Sequence, residues 1–395
     1  MKPRCNLLRA ALLPALIAAL VFAQPAFALL SHKSGQPARL VLGQPNFTSS
    51  TSGTLRTRMD APSAVAVDRH THKVFVADSG NNRVLRFRSL YALRNGAAAE
   101  AVFGQPDYVS SSAATTQSGM YLPWGVFVDA GGRLWVADQG NNRVLRFDHA
   151  SRKPSGANAD GVLGQSGFNS SGHATTQEGM YIPDGVFVDG GGRLWVLEYA
   201  NNRVLRFDHA ASLPNGAPAN GVLGQLDFTH GLGAVSQSGL NQPYNLTVDA
   251  HGRLWVADFG SSRVVRFDHA ASLPNGANAS AVLGQPDFTS FAGTAARNGM
   301  NFPEGVTVDN STGRLYVADG NNNRILVFNS AARLANGANA SFVLGQPGFA
   351  SNGSGATART LNIPSGVFFD PVANVLFVSE YNNSRVLMYG VPTPP

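Results

Sequence analysis

One heptapeptide recurs through the sequence at an almost constant interval, and this interval constrains the fold more than any other feature. It reads NNRVLRF at three places, ending at Phe87, Phe147 and Phe207, and returns as SSRVVRF, NNRILVF and NSRVLMY. The arginines of the six copies, from Arg83 to Arg385, are separated by 60, 60, 60, 61 and 61 residues. This period predicts six copies of one structural unit. It overrides the two or three domains that a chain of 395 residues would otherwise suggest.

Each period contains four short runs of branched and aromatic residues that are typical of β-strands. In the second period the runs are WGVFVD ending at Asp129, RLWVAD at Asp138, RVLRFD at Asp148 and GVLGQ at Gln165. Links such as AGG and QGNN supply the Gly and Asn residues that tight turns require. Four strands joined in this way form one antiparallel sheet, and radial repetition of such sheets is a propeller. The sequence therefore predicts an all-β, six-bladed β-propeller.

The count of fourth strands predicts how the ring closes. A GQ motif preceded by Leu or Phe ends that strand and occurs six times, at Gln44, Gln105, Gln165, Gln225, Gln285 and Gln346. The first copy precedes any first strand, whereas the last period stops after its third strand at Tyr389. An N-terminal strand is therefore expected to complete the C-terminal blade and cover its open edge. The predicted blades span residues 60–107, 121–167, 181–227, 241–287, 301–348 and 362–390 plus 39–47.

The same residues carry a resemblance to a known family. The second unit contains Pro123, Gly125, Val128, Asp129, Trp135, Val136, Ala137, Asp138, Asn141, Arg143 and Phe147. This pattern resembles that of NHL-repeat six-bladed propellers. It recurs in all six units between about residues 38 and 390, although these units are longer than the family core. With its N-terminal segment, the chain resembles an exported, bacterial-type member. The resemblance implies the fold but no single function, because members serve as protein-binding, RNA-binding or catalytic domains.

The first 28 residues differ from the repeats and resemble an export signal. Basic residues precede the apolar run ALLPALIAALVFA, and small residues stand at Ala26 and Ala28. This pattern predicts a cleaved signal peptide at 1–28, a single propeller domain at 29–395, and a secreted or periplasmic protein. The apolar run is interrupted by Pro14 and is shorter than the roughly 20 residues of a membrane span, so no span is expected after cleavage. Cys5, the only cysteine, would be removed, which excludes disulfides from the mature chain.

Recurrent polar residues are expected to have structural roles that every blade shares. The aspartates that end the first strands are predicted to close turns, and the arginines are predicted to pair with carbonyls or with acids such as Asp138. His149, His209 and His269 recur on successive blades, too far apart for one metal site. The net charge is +6 for the whole sequence. Removal of residues 1–28 takes away three basic residues and leaves 27 basic and 24 acidic residues, a net charge of +3. This mild charge predicts no nucleic-acid partner.

Positions that vary between equivalent units predict a candidate site. Two rings of such positions should surround the channel mouth, on the face that carries the fourth-to-first and second-to-third links. The first ring is Ser63, Trp124, Asp184, Tyr244, Glu304 and Ser365, and the second is Ser79, Gln139, Tyr199, Phe259, Gly320 and Tyr381. The candidate ligand-binding residues are Trp124, Asp184, Tyr244, Glu304, Tyr199, Phe259 and Tyr381. Aromatic faces contact apolar or cationic groups, and carboxylates accept hydrogen bonds or hold a cation. The alternative is tolerated variation in a solvent-filled funnel.

The residues favour an exported, non-enzymatic scaffold that presents this face to a glycan, a peptide, a small molecule or a protein partner. The alternative is a metal-dependent hydrolase or lyase. The similarity in outline to gluconolactonase-type propellers and amidating lyases implies a divalent metal in the channel mouth. Asp184, Glu304 and Asn245 could then begin an oxygen shell for calcium. Against catalysis, no histidine occupies the mouth and no GxSxG motif occurs.

Overall fold

Six four-stranded antiparallel sheets follow one another along residues 33–392, the part of the chain that the computed structural model describes. The first strand of each sheet contacts the first strands of both neighbouring sheets, and the last first strand contacts the first one. The six first strands therefore line a closed ring, and the predicted six-bladed β-propeller is confirmed. The predicted signal peptide lies outside the described residues. No helix in the described part of the chain has the length and apolar character of a membrane span.

The blades are numbered in chain order. Blade 1 contains β2 (Pro62–Val67), β3 (Lys73–Asp78), β4 (Arg83–Ser89) and β5 (Ala101–Phe103). Blade 2 contains β6 (Pro123–Val128), β7 (Leu134–Asp138), β8 (Arg143–Phe147) and β9 (Gly161–Leu163). Blade 3 contains β10 (Pro183–Val188), β11 (Leu194–Glu198), β12 (Arg203–Phe207) and β13 (Gly221–Leu223).

The remaining blades repeat this plan. Blade 4 contains β14 (Pro243–Val248), β15 (Leu254–Asp258), β16 (Arg263–Phe267) and β17 (Ala281–Leu283). Blade 5 contains β18 (Pro303–Asp309), β19 (Arg314–Asp319), β20 (Arg324–Phe328) and β21 (Phe342–Leu344). Blade 6 contains β22 (Pro364–Asp370), β23 (Val375–Glu380), β24 (Arg385–Tyr389) and the N-terminal β1 (Leu40–Leu42). Short 3-10 helices lie in the links, at Ser79–Asn81, Leu90–Ala92, Gln139–Asn141, Ala210–Ser212, Phe259–Ser261, Ala270–Ser272, Gly320–Asn322 and Ala331–Arg333.

The N-terminal strand closes the ring as the sequence predicts. β1 pairs antiparallel with β24, with Leu40 opposite Met388 and Leu42 opposite Val386. The preceding residues extend this contact, because the Gly35 amide donates to the Val343 carbonyl of blade 5 at 3.0 Å. Both ends of the described chain are thereby held in one sheet, and the outer edge of β24 is covered.

The fourth strands end earlier than the sequence predicts. In blade 2 the strand ends at Leu163, because Gly164 has a φ of +86° and a Cβ there would lie 2.6 Å from the Met180 sulfur. The following Gln165 directs its side chain inward instead, and Nε2 donates to the carbonyls of Asn142 (2.9 Å) and Gly172 (2.7 Å). The glutamine of the recurrent GQ motif therefore hydrogen-bonds the residue that precedes the third strand to the next link.

The apolar core lies between neighbouring blades. Trp135 of blade 2 packs into a cluster that contains Val186 and Leu194 of blade 3, and its indole is 1% exposed. The indole N–H donates to Asp129 Oδ2 at 2.9 Å, while Asp129 Oδ1 accepts from the amides of Gly131 and Arg133. The predicted turn-closing role of the first-strand aspartates is confirmed at this blade, and Asp129 also satisfies the polar atom of the buried indole.

A buried arginine joins each blade to the links of one face. In blade 2, Arg143 is fully buried, and Nε donates to Asp138 Oδ2 at 2.7 Å. Its remaining N–H groups donate to three carbonyls, those of Phe168, Thr116 (2.9 Å) and Gly119 (3.0 Å). Equivalent pairs are Arg83–Asp78, Arg203–Glu198, Arg263–Asp258, Arg324–Asp319 and Arg385–Glu380. The predicted pairing is confirmed, and glutamate serves the same purpose as aspartate at two blades.

Candidate functional site

The first ring of variable positions lies at the second residue of each first strand, and the second ring lies directly after each second strand. Both rings are on the face that carries the fourth-to-first links, called here the upper face. The serines in the first ring belong to its wall. Ser63 Oγ donates to the Trp124 carbonyl at 2.6 Å, and Ser365 Oγ donates to the Pro62 carbonyl at 3.1 Å. These hydrogen bonds join neighbouring blades around the axis, so the larger side chains of the ring stand on a fixed frame.

Three aromatic side chains meet on the propeller axis. The Trp124 ring lies 5.8 Å from the Tyr244 ring in an edge-to-face arrangement and 5.9 Å from the Tyr381 ring, measured between centroids. These residues come from blades 2, 4 and 6, which are not neighbours. Side chains from alternate blades touch one another only by reaching across the channel. Aromatic rings therefore reach across the upper end of the channel.

Three further rings extend this group toward blades 3 to 5. The Tyr199 ring lies edge-on to Tyr244 at 5.3 Å, Phe259 stacks on Tyr244 at 4.5 Å, and Phe302 lies 4.6 Å from Phe259. Sequence reasoning did not identify Phe302. Its signal was available, because the residue before each entry proline also varies, and only blade 5 has an aromatic residue there. The name aromatic cluster is used below for Trp124, Tyr199, Tyr244, Phe259, Phe302 and Tyr381.

Two carboxyl groups are buried beside the aromatic cluster. Asp184 is 0% exposed; Oδ1 accepts a hydrogen bond of 2.5 Å from Gln139 Nε2, and Oδ2 is buried without a hydrogen-bond partner. Glu304 is 8% exposed and makes no hydrogen bond or ion pair with any residue that the structure describes. Neither acid has the arginine partner that stands beside the recurrent acids of the second strands. These two groups are therefore the incompletely satisfied part of the site.

The pKa values of Asp184 and Glu304 are raised, because both carboxyl groups are buried and neither is paired with a cation. Burial, followed by the nearby Asp184 carboxyl, raises the pKa of Glu304 to about 8. Burial also raises the pKa of Asp184 well above its usual value, and the hydrogen bond from Gln139 only partly offsets this effect. The pKa values of Tyr199 and Tyr244 are raised by burial and by the Asp184 charge. These mutual influences show that the acids and phenols share one environment.

A cavity of about 620 Å³ occupies the channel toward the opposite face, called the lower face. Phe127, Phe187 and Phe368 form much of its apolar wall, and it opens among the first-to-second turns at Asp129 and Asp189. Asp184 and Glu304 do not line this cavity.

The structure separates the three residues that the sequence offered as a calcium shell. Asn245 lies in the wall of the lower cavity, and its Oδ1 accepts from the Val306 amide at 3.4 Å. Asp184 and Glu304 lie beside the aromatic cluster instead. Within residues 33–392, no three His, Cys, Asp or Glu side chains form a group that could hold a metal ion. A calcium ion needs roughly six to eight oxygens, so Asp184 and Glu304 alone would supply only part of its shell.

The histidines lie away from the aromatic cluster. His149, His209 and His269 are exposed at the start of third-to-fourth links, each in the left-handed conformation with φ between 51° and 53°. On the upper face, His173 stacks on Tyr181 at 4.3 Å, and His230 Nδ1 lies 2.7 Å from Asp227 Oδ1. Each of these two rings is held by its own link.

Replacing Glu304 with glutamine is expected to reduce the loss of stability at alkaline pH. The ordinary pKa of this carboxyl is 4.5, whereas the folded value is about 8. Between these values the folded protein holds a proton that the unfolded chain releases, so stability is full below the lower value and is lost as pH rises through the higher one. The wild-type protein should therefore lose a few kcal/mol relative to Glu304→Gln between about pH 5 and about pH 9, since one pKa unit corresponds to about 1.4 kcal/mol.

Urea unfolding followed by circular dichroism at both pH values measures this difference. Glu178→Gln is the matched control, because Glu178 is exposed in a link of the same face. The control should leave the pH dependence unchanged. Parallel stability curves for wild type and Glu304→Gln across this range would contradict the prediction.

Known proteins match this chain through a repeat model and through partial sequence similarity. The model of the NHL repeat matches residues 120–147 and 300–328. Human NHL repeat-containing protein 2 is 25% identical over 368 residues, which cover 84% of this chain and 47% of that protein. The chain thus spans about half the length of this curated relative. Regucalcin from Pongo abelii is 32% identical over 85 residues, 20% of this chain and 28% of that protein.

A solved structure supports the fold alone. A structural genomics protein of unknown function from Bacteroides thetaiotaomicron superimposes with a TM-score of 0.55 at 15% identity. The alignment covers 89% of this chain and 75% of that protein. The function must therefore be argued from the site.

Proposed function

The chain is a six-bladed β-propeller built from NHL repeats, and from this premise we propose that it is an exported, non-enzymatic scaffold that binds its ligand at the aromatic cluster. The observation that carries the proposal is the contact of Trp124, Tyr244 and Tyr381 across the axis, beside two buried acids. Export to the periplasm or the medium is the part of the proposal that rests on the first 28 residues alone.

The frame around the cluster suits binding by a preformed site. The residues of the cluster stand on strand ends or on links that the buried arginines hold, and the small members of the ring are hydrogen-bonded between blades. A rigid frame lowers the entropy that is lost when a ligand binds. Large aromatic faces supply contact area at low conformational cost, and the acids supply specificity. A glycan, a peptide, a small molecule or an exposed segment of a protein partner all remain candidate ligands.

A catalytic role has less support from the geometry. The two acids have no histidine, lysine or hydroxyl nucleophile hydrogen-bonded to them among the described residues; Gln139 is the one side chain that donates to Asp184. General acid–base catalysis usually pairs such a group with a second group that orients or activates it. The divided set of Asp184, Glu304 and Asn245 likewise gives little support to a calcium-dependent hydrolase or lyase.

Tryptophan fluorescence provides the test, because the four tryptophans differ in their environments. Trp135, Trp195 and Trp255 are each 1% exposed, and each indole N–H donates a hydrogen bond to an aspartate. Trp124 is instead half-buried in the aromatic cluster. A panel of oligosaccharides, peptides and small metabolites should contain ligands that change the emission of the wild-type protein. These changes should be absent in Trp124→Phe.

Binding of the same ligands is then measured calorimetrically in Tyr244→Ala. We expect at least a ~10-fold loss of affinity, since an aromatic anchor of a buried site typically contributes 1–2 kcal/mol or more. The matched control is Tyr121→Ala, because Tyr121 is an aromatic residue of the same face that is 42% exposed. Ligands that bind Tyr244→Ala and the wild-type protein equally would place the binding site elsewhere.

A further inference from the structure

We propose that the aromatic cluster with Asp184 and Glu304 binds an organic ammonium cation, the head group of a quaternary or alkylated amine. This inference rests on the proposed function and names the chemical class of its ligand. It depends on three observations: two buried acids without a cation, aromatic rings that make no cation–π contact with an Arg or Lys of the described protein, and no group of three His, Cys, Asp or Glu side chains that could hold a metal ion within residues 33–392.

The acids at this site differ from every other buried acid that the structure describes. Those of the second strands pair with buried arginines, as Asp138 does with Arg143 at 2.7 Å. Those that end the first strands accept backbone N–H groups, as Asp370 does from Val372 (3.0 Å) and Ala373 (2.7 Å). Asp184 Oδ2 is buried without a hydrogen-bond partner, and Glu304, which is 8% exposed, has no arginine beside it among the described residues. A buried carboxyl without a donor is costly, so a positively charged ligand would supply the missing partner.

Two pairs of aromatic rings near these acids are close to perpendicular, whereas the other pairs of the cluster are stacked or tilted. The interplanar angle is 77° between Trp124 and Tyr244 and 89° between Tyr199 and Tyr244. Rings in this arrangement present faces in several directions, which is the geometry of sites that surround a quaternary ammonium. The cation–π contacts within the described protein involve other rings, those of Phe103, Tyr108, Trp135, Trp255 and Phe349. No Arg or Lys of the described protein therefore occupies a ring face of the aromatic cluster, although Phe259 covers one face of Tyr244.

An ammonium suits this lining better than a metal ion or a sugar. A hard divalent ion requires a shell of oxygens, and the rings here supply mainly carbon. A sugar would need several hydrogen-bonding groups, whereas Gln139 is the one amide side chain bonded to either acid among residues 33–392. An alkylated ammonium has apolar methyl groups that pack on ring faces and one diffuse charge that the carboxylates attract. Tyr381, which is 38% exposed, is the ring that an approaching ligand meets first.

Binding should release a proton near neutral pH. The groups that face the acids are Gln139, Tyr199 and Tyr244, with Trp124 and Phe302 as neutral neighbours in the cluster, and none of these is a cation. Glu304 therefore holds its proton up to about pH 8 in the free protein. A bound cation favours the carboxylate, so affinity should increase as pH rises from about 6 to about 8.5.

The test compares two probes of the same shape and different charge. Choline carries a quaternary nitrogen, and 3,3-dimethyl-1-butanol has carbon at that position. Calorimetric titration of the purified protein, in two buffers with different ionisation enthalpies, measures affinity and proton release together. We expect choline to bind at least ~10-fold more tightly than the alcohol, as two nearby carboxylates and several ring faces imply. We also expect choline to quench Trp124 emission and release a proton at neutral pH.

The variants Asp184→Asn and Glu304→Gln keep shape and remove charge. Each should weaken choline binding at least ~10-fold without changing the weak binding of the alcohol. Glu178→Gln on the same face should bind choline as the wild type does. Thermal unfolding of each variant confirms that the fold is retained.

The outcomes distinguish this inference from the proposed function. Equal affinity for choline and the alcohol, abolished by Trp124→Ala, would keep the ligand site and overturn the ammonium assignment. Calcium binding that requires both acids, without choline binding, would replace the ammonium with a metal ion. No response to choline would also overturn the ammonium assignment. The proposed function would then be decided by the wider ligand panel and the Tyr244→Ala variant.

Discussion

A chain that lacks residues 1–47 is expected to lose most of its folding stability, although it keeps 23 of the 24 strands. The missing strand β1 buries Leu40, Val41 and Leu42, which are 7%, 0% and 0% exposed. Burial of an aliphatic side chain contributes about 1.5–3 kcal/mol, so these three residues supply roughly 5–9 kcal/mol. This amount is comparable to the whole free energy of unfolding of a typical domain, about 5–15 kcal/mol.

Urea unfolding, together with light scattering to detect association through the uncovered edge of β24, measures the effect of this truncation. A synthetic peptide of residues 33–47 should restore stability when it is added to the shortened chain. Val41→Asp is the corresponding point change, and Arg39→Asp is its control, because Arg39 is exposed in the neighbouring position. A truncated chain that unfolds at the urea midpoint of the full-length protein would show that β1 does not hold the ring closed.

Replacing Arg143 with alanine is expected to lower the free energy of unfolding by about 3–5 kcal/mol. The change leaves Asp138 with an uncompensated charge at a site that is 0% exposed. It also removes the donor to the carbonyls of Thr116 and Gly119, on the link that enters blade 2. Removal of one partner of a buried ion pair is costly for this reason, even where the intact pair adds little net stability.

Chemical unfolding of Arg143→Ala should be compared with that of Arg133→Ala. The Arg133 side chain is 35% exposed and lies 3.5 Å from Asp129 and Asp148, so its loss should cost less than about 1 kcal/mol. Similar losses for the two variants would mean that the buried network of Arg143 does not stabilise the blade.

The fold could be predicted because its determinants are repeated in the sequence. The spacing of the arginines fixes the number of blades, and the misplaced first GQ motif predicts the closing strand. Pairing of Arg143 with Asp138 was also predictable, because residues five apart on opposite sides of a tight strand connection lie next to each other. Only the ends of the fourth strands differ, where the positive φ of Gly164 stops the pairing two residues early.

The site was less accessible to sequence reasoning, because it depends on where side chains point within the ring. Equivalent positions of the six repeats lie at the same height along the channel. This rule predicts that Trp124, Asp184, Tyr244 and Glu304 lie near the upper end of the channel. It could not show that Trp124 and Tyr244 reach across the axis, since that depends on side-chain conformation and on the width of the channel. Asn245 follows Tyr244 directly but lines the lower cavity together with the next residues of its strand, Leu246 to Val248.

The contact of Trp124 with Tyr244 and Tyr381 brings side chains of three alternate blades together at the upper face of this propeller. None of the six rings of the aromatic cluster lines the cavity of about 620 Å³ that opens at the lower face. The two faces of the propeller therefore offer two binding surfaces built from different side chains, so a ligand could occupy one surface without displacing a ligand from the other.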